Sequence, residues 1–116
     1  MKTFKRADRI SKLLLRALSE SLIQAVRDPR VSTAVVTDVK VTADVSIARV
    51  YVRSLDKDCD TQKMLEGFQA CSGLLRGELG RRVHLFRIPR LEFFYDELPD
   101  KAAAVEALLD ELRRGD

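Results

Sequence analysis

Apolar residues recur at helical spacing over the first quarter of the chain. Ile10, Leu14 and Leu18 fall on one face at a period of 3.6 residues, which predicts an amphipathic helix over about residues 5–27. Residues 28–30, Asp-Pro-Arg, are predicted to end this helix because proline disfavours the helical conformation of the residue before it. The chain therefore opens with one long helix that has a single apolar face.

Two segments rich in Val and Thr follow, and their alternation predicts strands over residues 31–41 and 46–55. The connection between them is short, which favours an antiparallel hairpin. The first strand is predicted to place Val35, Val39 and Val41 on one face and Val36, Asp38 and Lys40 on the other.

The second strand alternates between a small apolar face and a mixed face. The first consists of Ala48, Val50 and Val52, and the second of Ile47, Arg49, Tyr51 and Arg53. We expect the small apolar face to pack on helices. Arg and Tyr suit stacking on unpaired RNA bases, but an ordinary solvated sheet face is the favoured interpretation of the mixed face.

An apolar run over residues 64–85 predicts two helices that meet at a kink formed by Cys71, Ser72 and Gly73. Glycine costs about 1 kcal/mol relative to alanine inside a helix, and it adopts backbone angles that other residues avoid. Gly73 is therefore predicted at the bend. The helix that restarts there has free N–H groups at its N-terminus, and these favour an anion such as phosphate.

The last quarter of the chain predicts one strand and one helix. Pro89 precedes a strand over residues 90–95, and Pro99 precedes an amphipathic helix. The apolar face of that helix consists of Val105, Leu108, Leu109 and Leu112. The whole order predicts an α+β fold with helices on a three-stranded sheet, divided into a domain at residues 1–98 and a C-terminal amphipathic helical tail at residues 99–116.

Charge is unevenly distributed along the chain, whose net charge is only +3. Residues 1–30 carry a local charge of +5, residues 73–90 carry +4, and residues 92–112 carry −6. Such asymmetry indicates one basic surface for a polyanion and one acidic flank. Seven cations are predicted to form a continuous basic surface: Lys5, Arg9, Lys12, Arg16, Arg76, Arg81 and Arg82. Arg30 and Arg87 are further candidate RNA-binding residues.

Residues that catalysis and metal binding use are scarce. His84 is the only histidine, Asn is absent, and two cysteines, Cys59 and Cys71, are too few for a disulfide framework or a metal cluster. We therefore predict no catalytic residues, no metal and no cofactor, with reduced cysteines in a cytoplasmic protein. No apolar run reaches membrane-spanning length, so no membrane partner is expected.

Several strings, taken in order, resemble the bacterial ribosome-binding factor A family over about residues 5–98. They are Arg27-Asp28-Pro29-Arg30, the strand segments at residues 39–44 and 48–52, Ser72-Gly73-Leu74-Leu75-Arg76, Leu79-Gly80, and residues 89–96, Pro-Arg-Leu-Glu-Phe-Phe-Tyr-Asp. The chain departs from the family pattern at Cys71, where alanine is usual. Cysteine is nearly as small and as apolar as alanine, so the kink is still expected.

The resemblance implies a type II KH-like fold in which the kinked helix pair replaces the GxxG loop of ordinary KH domains. It also implies a non-catalytic factor that binds the small ribosomal subunit and its rRNA and assists late rRNA processing and maturation, notably in the cold. Possible further partners are other assembly factors, including a GTPase, and the chain is expected to be a monomer. The string Gly77-Glu78-Leu79-Gly80 matches GxxG, but Glu78 would repel phosphate, and we interpret the string as a helix C-terminus.

Two other functions remain open from the residues. A KH-like protein that binds another RNA would have the same composition and charge, and only the family resemblance favours rRNA. A small enzyme with an unrecognised anion site is the third hypothesis.

Overall fold

The computed structural model describes residues 2–97 and 112–113, with side chains from residue 5 onwards. Its elements are α1 (Lys2–Gln24), a 3-10 turn (Pro29–Val31), β1 (Ala34–Val41), β2 (Ile47–Ser54), α2 (Thr61–Ala70), α3 (Ser72–Arg82) and β3 (Arg90–Tyr95). The predicted order is confirmed across residues 2–97. The predicted tail helix lies outside the described residues, except that Leu112 and Arg113 are helical.

The sheet has the order β1-β2-β3, with β1 antiparallel to β2 and β3 parallel to β2. Helix α1 packs on β1, while α2 and α3 pack on β3 and on each other. The central strand carries the core, since Ala48, Val50 and Val52 are fully buried. The small apolar face predicted for this strand is therefore the face that meets the helices.

One prediction about β1 is wrong, because the strand contains a β-bulge. The register shifts between Val36 and Asp38, so that Val36 lies opposite the buried Val52, and Val39 lies opposite Val50. The extra residue of a bulge moves the side chains that precede it to the other face. Val36 therefore shares the core face with Val39 and Val41, and Val35 lies on the outer face opposite Arg53.

Gly67 has a packing role that the sequence did not indicate. It is buried in α2, where the 3-10 turn lies against the helix. A Cβ atom built on Gly67 would lie 2.9 Å from Arg30 Cβ and 3.0 Å from Val31 Cγ1. Only glycine lets these two backbone segments approach so closely.

We expect Gly67→Ala to destabilise the fold. Overpacking costs about 1–3 kcal/mol, which exceeds the roughly 1 kcal/mol of helix propensity that alanine gains over glycine. The control is Gly77→Ala in α3, where the new Cβ would have no neighbour within 4 Å, and it should stabilise by about 0.4–1 kcal/mol. Urea unfolding of both variants checks this. Equal effects on the free energy of unfolding would contradict the packing role of Gly67.

Candidate RNA-binding surface

The cationic stripe of α1 is exposed to solvent. Lys5, Arg9, Lys12 and Arg16 all lie on the outer side of the helix, opposite the buried Leu14 and Leu18. Within residues 5–97, Lys5, Arg9 and Lys12 have no acidic side chain at ion-pair distance. Arg16 is the exception, because its Nε lies 3.3 Å from Glu20 Oε1.

Glu20 links the stripe to α3. Arg82 Nη1 lies 3.3 Å from Glu20 Oε2, and its Nη2 donates to Gln24 Oε1 at 2.8 Å. Arg82 Nε also faces Glu78 Oε2 at 3.5 Å, an ion pair that is too long for a well-formed hydrogen bond. Arg16 and Arg82 thus approach one carboxylate from two helices. The structure brings Arg82 to the stripe, and Arg82 also holds α3 against α1.

Arg76 and Arg81 have different surroundings. Arg76 is turned towards the segment before β3, where it donates from Nε to Pro89 O at 3.2 Å and from Nη2 to Ile88 O at 2.9 Å. Arg81 is largely exposed and pairs with Glu78 Oε1 at 3.0 Å. This pairing holds the pKa of Glu78 below its usual range, with Arg82 adding to the effect. Glu78 therefore stays ionised and partly neutralises the arginines around it.

Arg30 lies apart from the stripe, beside the break between α2 and α3. Its guanidinium pairs with Asp28, with Nη2 2.7 Å from Oδ2 and Nε 3.1 Å from Oδ1. This side-chain hydrogen bonding lowers the pKa of Asp28. Burial raises the pKa of the Cys71 thiol, Asp28 raises it further, and Arg30 opposes them. Cys71 is a buried free thiol.

The helix break falls at Cys71, which ends α2 and precedes α3 with φ −89° and ψ 0°. Ser72 and Gly73 form the first turn of α3, and no described glycine has a positive φ. The expectation that Gly73 needs unusual backbone angles is therefore wrong. Gly73 is exposed, and a Cβ there would have no neighbour within 4 Å. Because Gly73 has no side chain, the free N–H groups of this turn are open to solvent.

Arg87 connects the segment before β3 to the turn between β1 and β2. Its Nη2 donates to Asp44 O at 3.4 Å. The Asp44 carboxylate accepts from the Thr42 hydroxyl at 2.8 Å and from the Ser46 hydroxyl at 2.7 Å. These hydrogen bonds lower the pKa of Asp44 to about 2, with a smaller contribution from Arg87.

Two residues near Arg87 were not singled out in the sequence. Arg6 of α1 and Phe86 line one groove together with Arg87. The sequence feature that indicates Phe86 is its position between His84 and Arg87, since aromatic residues within basic segments are typical of RNA-binding surfaces.

Among the residues that the structure describes, no group of three or more His, Cys, Asp or Glu side chains is arranged to hold a metal ion. No described helix combines the length and the apolar character needed to span a bilayer.

The α-β-β-α-α-β order with its mixed sheet and broken helix pair is the type II KH-like class of fold. The family model described as ribosome-binding factor A matches residues 6–109, and the chain therefore belongs to that family. A ribosome-binding factor A from Aromatoleum aromaticum is 35% identical over 115 residues, which are 99% of this chain and 91% of the relative.

Solved structures of the same family resemble this one. The crystal structure of ribosome-binding factor A from Thermus thermophilus has a TM-score of 0.70 and 32% identity, covering 77% of this chain and 93% of that one. A homology model of the Thermus thermophilus protein, fitted into a cryo-EM map of its 30S complex, has a TM-score of 0.61 and 34% identity. It covers 72% of this chain and 88% of that chain.

We expect Arg76→Ala to lower the free energy of unfolding by about 1 kcal/mol, because it removes two charge-assisted hydrogen bonds that solvent partly weakens. Lys12→Ala, on the exposed stripe, should change it by less than about 0.5 kcal/mol. Chemical denaturation of both variants measures the difference. If Arg76→Ala is as stable as the wild type, the hydrogen bonds to Ile88 and Pro89 do not support the fold.

Acid should destabilise the turn that carries Asp44. Its folded-state pKa, about 2, lies below the usual 3.8, so its contribution to stability is present above pH 3.8 and is lost as pH falls through about 2. Asp44→Asn should be less stable than the wild type at neutral pH, and the gap should narrow in acid. The control, Asp8→Asn, removes an exposed carboxylate of α1. If the difference in stability between the wild type and Asp44→Asn grows as the pH falls, the ionised Asp44 carboxylate does not stabilise the turn.

Proposed function

We propose that this protein is a non-catalytic assembly factor that binds the small ribosomal subunit in the cytoplasm and assists late rRNA processing and maturation. It contacts rRNA through the cationic stripe of α1 and the start of α3. It acts as a monomer, and its further partners are other assembly factors such as a GTPase.

The observation that carries this proposal is a row of α1 cations that have no ion-pair partner, on a chain of the ribosome-binding factor A family. Lys5, Arg9 and Lys12 are exposed, and although Asp8 belongs to the same helix, no described acidic side chain lies at ion-pair distance from them. Unpaired surface cations are available to phosphate oxygens, and release of counterions from the nucleic acid then favours binding. The Thermus thermophilus relative with 34% identity has been placed in a map of a 30S complex, which supports the small subunit as the partner.

Three other candidate arginines are engaged within the fold. Arg76 and Arg30 are bound to backbone carbonyls and to Asp28, respectively. Arg82 is three-quarters buried and mainly joins the helices. Exposed N–H groups at the start of α3 add an anion-binding element near Gly73. The proposed interface therefore depends most on α1.

Co-sedimentation tests the function directly. The protein should travel with free small ribosomal subunits, and much less with assembled ribosomes or with an unrelated structured RNA of similar length. Equal binding to all three would favour a general RNA-binding role. No binding to free subunits at low salt would contradict the proposal. Turnover assays on phosphorylated and acylated substrates should give no product.

Salt dependence tests which surface meets the rRNA. Arg9→Ala with Lys12→Ala should lower the slope of log affinity against log salt by about 1.4–1.8, because each phosphate contact contributes roughly 0.7–0.9. Lys57→Ala with Lys63→Ala is the control, since it removes the same charge from exposed positions in the loop before α2 and in the first turn of α2. A change in slope in the control pair alone would place the RNA at α2 and not at α1.

A further inference from the structure

Phe86 is fully exposed, with a relative accessibility of 103%. It lies in the segment between α3 and β3, and its ring has no packing role in the fold. A single exposed apolar side chain is common on protein surfaces. What distinguishes Phe86 is the chemistry of the residues around it.

The groove beside Phe86 combines an apolar floor with cationic edges. It encloses about 60 Å³ and is lined in part by Val45 and Leu85, with the exposed Arg6 and Arg87 at its sides. Val45 is buried and has φ 59°, an unusual backbone conformation for a β-branched residue. Its N–H donates to Thr42 O at 2.9 Å, which fixes the turn that forms the floor.

Asp44 is the acid of this groove, and its charge limits what can enter. Its carboxylate is held by Thr42 and Ser46, and its carbonyl oxygen accepts from Arg87. An ionised carboxylate repels a phosphate placed inside the groove. A neutral, planar base meets no such repulsion, and the phosphates on either side of it can approach Arg6 and Arg87.

We propose that Phe86 stacks on an unpaired base of small-subunit rRNA while Arg6 and Arg87 contact the flanking phosphates. This inference rests on the proposed function and names a recognition element within it. Bases of single-stranded RNA stack on exposed aromatic side chains, and loss of one such stack weakens binding by about 5- to 150-fold. A protein partner would instead be expected to cover a larger apolar patch than one exposed ring.

The groove also lies beside the cationic stripe of α1. Arg6 and Ile10, which line the groove, belong to the same helix as Lys5, Arg9 and Lys12. A strand of RNA that follows the stripe would therefore reach Phe86 at the N-terminal half of α1. The aromatic ring and the cations form one surface with two functions, base stacking and phosphate contact.

Substitutions at Phe86 separate stacking from simple apolar contact. Phe86→Ala and Phe86→Leu should each weaken binding to free small subunits by about 5- to 150-fold, because neither retains a ring. Phe86→Tyr should bind like the wild type. The control is Leu55→Ala, which truncates another exposed apolar residue, 73% accessible, in the loop before α2. It should leave affinity unchanged. Because Phe86 is fully exposed, none of these changes should alter stability.

Fluorescence reports the contact itself. The chain contains no tryptophan, so Phe86→Trp, incorporated as 5-hydroxytryptophan, gives one probe that is excited selectively over the tryptophans of ribosomal proteins. Stacking on a base should quench this probe when free small subunits are added. The matched probe is Phe94→Trp on the outer face of the sheet, where Phe94 packs against Tyr51 with 5.7 Å between ring centroids. It should change little.

The outcomes distinguish this inference from the function on which it rests. Ring-dependent affinity together with quenching at position 86 supports stacking. If Phe86→Leu or Phe86→Ala binds like the wild type, the stacking inference is overturned and the proposed function stands. A blue shift at position 86 without quenching indicates a protein contact, and quenching at position 94 alone indicates the sheet face; either overturns the inference. If the wild type itself fails to bind free subunits, both proposals fall.

Discussion

Burial of the central strand beneath three helices is the constraint on which the rest of the molecule depends. Ala48, Val50 and Val52 have no exposed surface, and small side chains at these positions allow the helices to approach the sheet. Leu14 and Leu18 of α1 and Leu75 of α3 belong to the same core. Because both α1 and α3 are fixed by this one layer, their outward faces keep a constant relation to each other. That relation is what gives the molecule a defined basic surface.

Acidic residues then decide which cations that surface offers. Glu20 and Glu78 engage Arg16, Arg81 and Arg82, so part of the positive charge of α3 is used to hold the two helices together. Lys5, Arg9 and Lys12 lie beyond the reach of these acids. Exposed ion pairs contribute little to stability, but they lower the local potential that a phosphate meets. The net effect is to concentrate accessible positive charge on the N-terminal half of α1.

The sequence predicted the element order and most of the core, because hydrophobic periodicity reports which face of each element is buried. It failed where a single residue changes the geometry. The bulge after Val36 leaves no signal in an alternating strand, and it exchanged Val35 for Val36 in the core. Gly67 and Gly73 look alike in sequence, yet the first lies against the side chains of Arg30 and Val31 and the second meets solvent. Such differences arise from tertiary contacts that local patterns do not contain.

The candidate site was predicted less completely for a related reason. A helical period places Lys5, Arg9 and Lys12 on one stripe, since that stripe is a property of one helix. The partners of Arg76, Arg82 and Arg87 belong to distant parts of the chain, and only the fold brings them together. Phe86 was not predicted, because the exposure of an aromatic residue in a loop depends on how the other elements pack around it.

A crosslink map shows directly whether α1 is the face that meets rRNA. A photoreactive amino acid is placed at Lys12 on α1 or, as the matched control, at exposed Lys63 on α2. Each protein is then irradiated on free small subunits, and the attached molecules are identified. We expect efficient crosslinks from position 12 to one region of small-subunit rRNA and few from position 63. Crosslinks to rRNA from position 63, with none from position 12, would contradict this expectation.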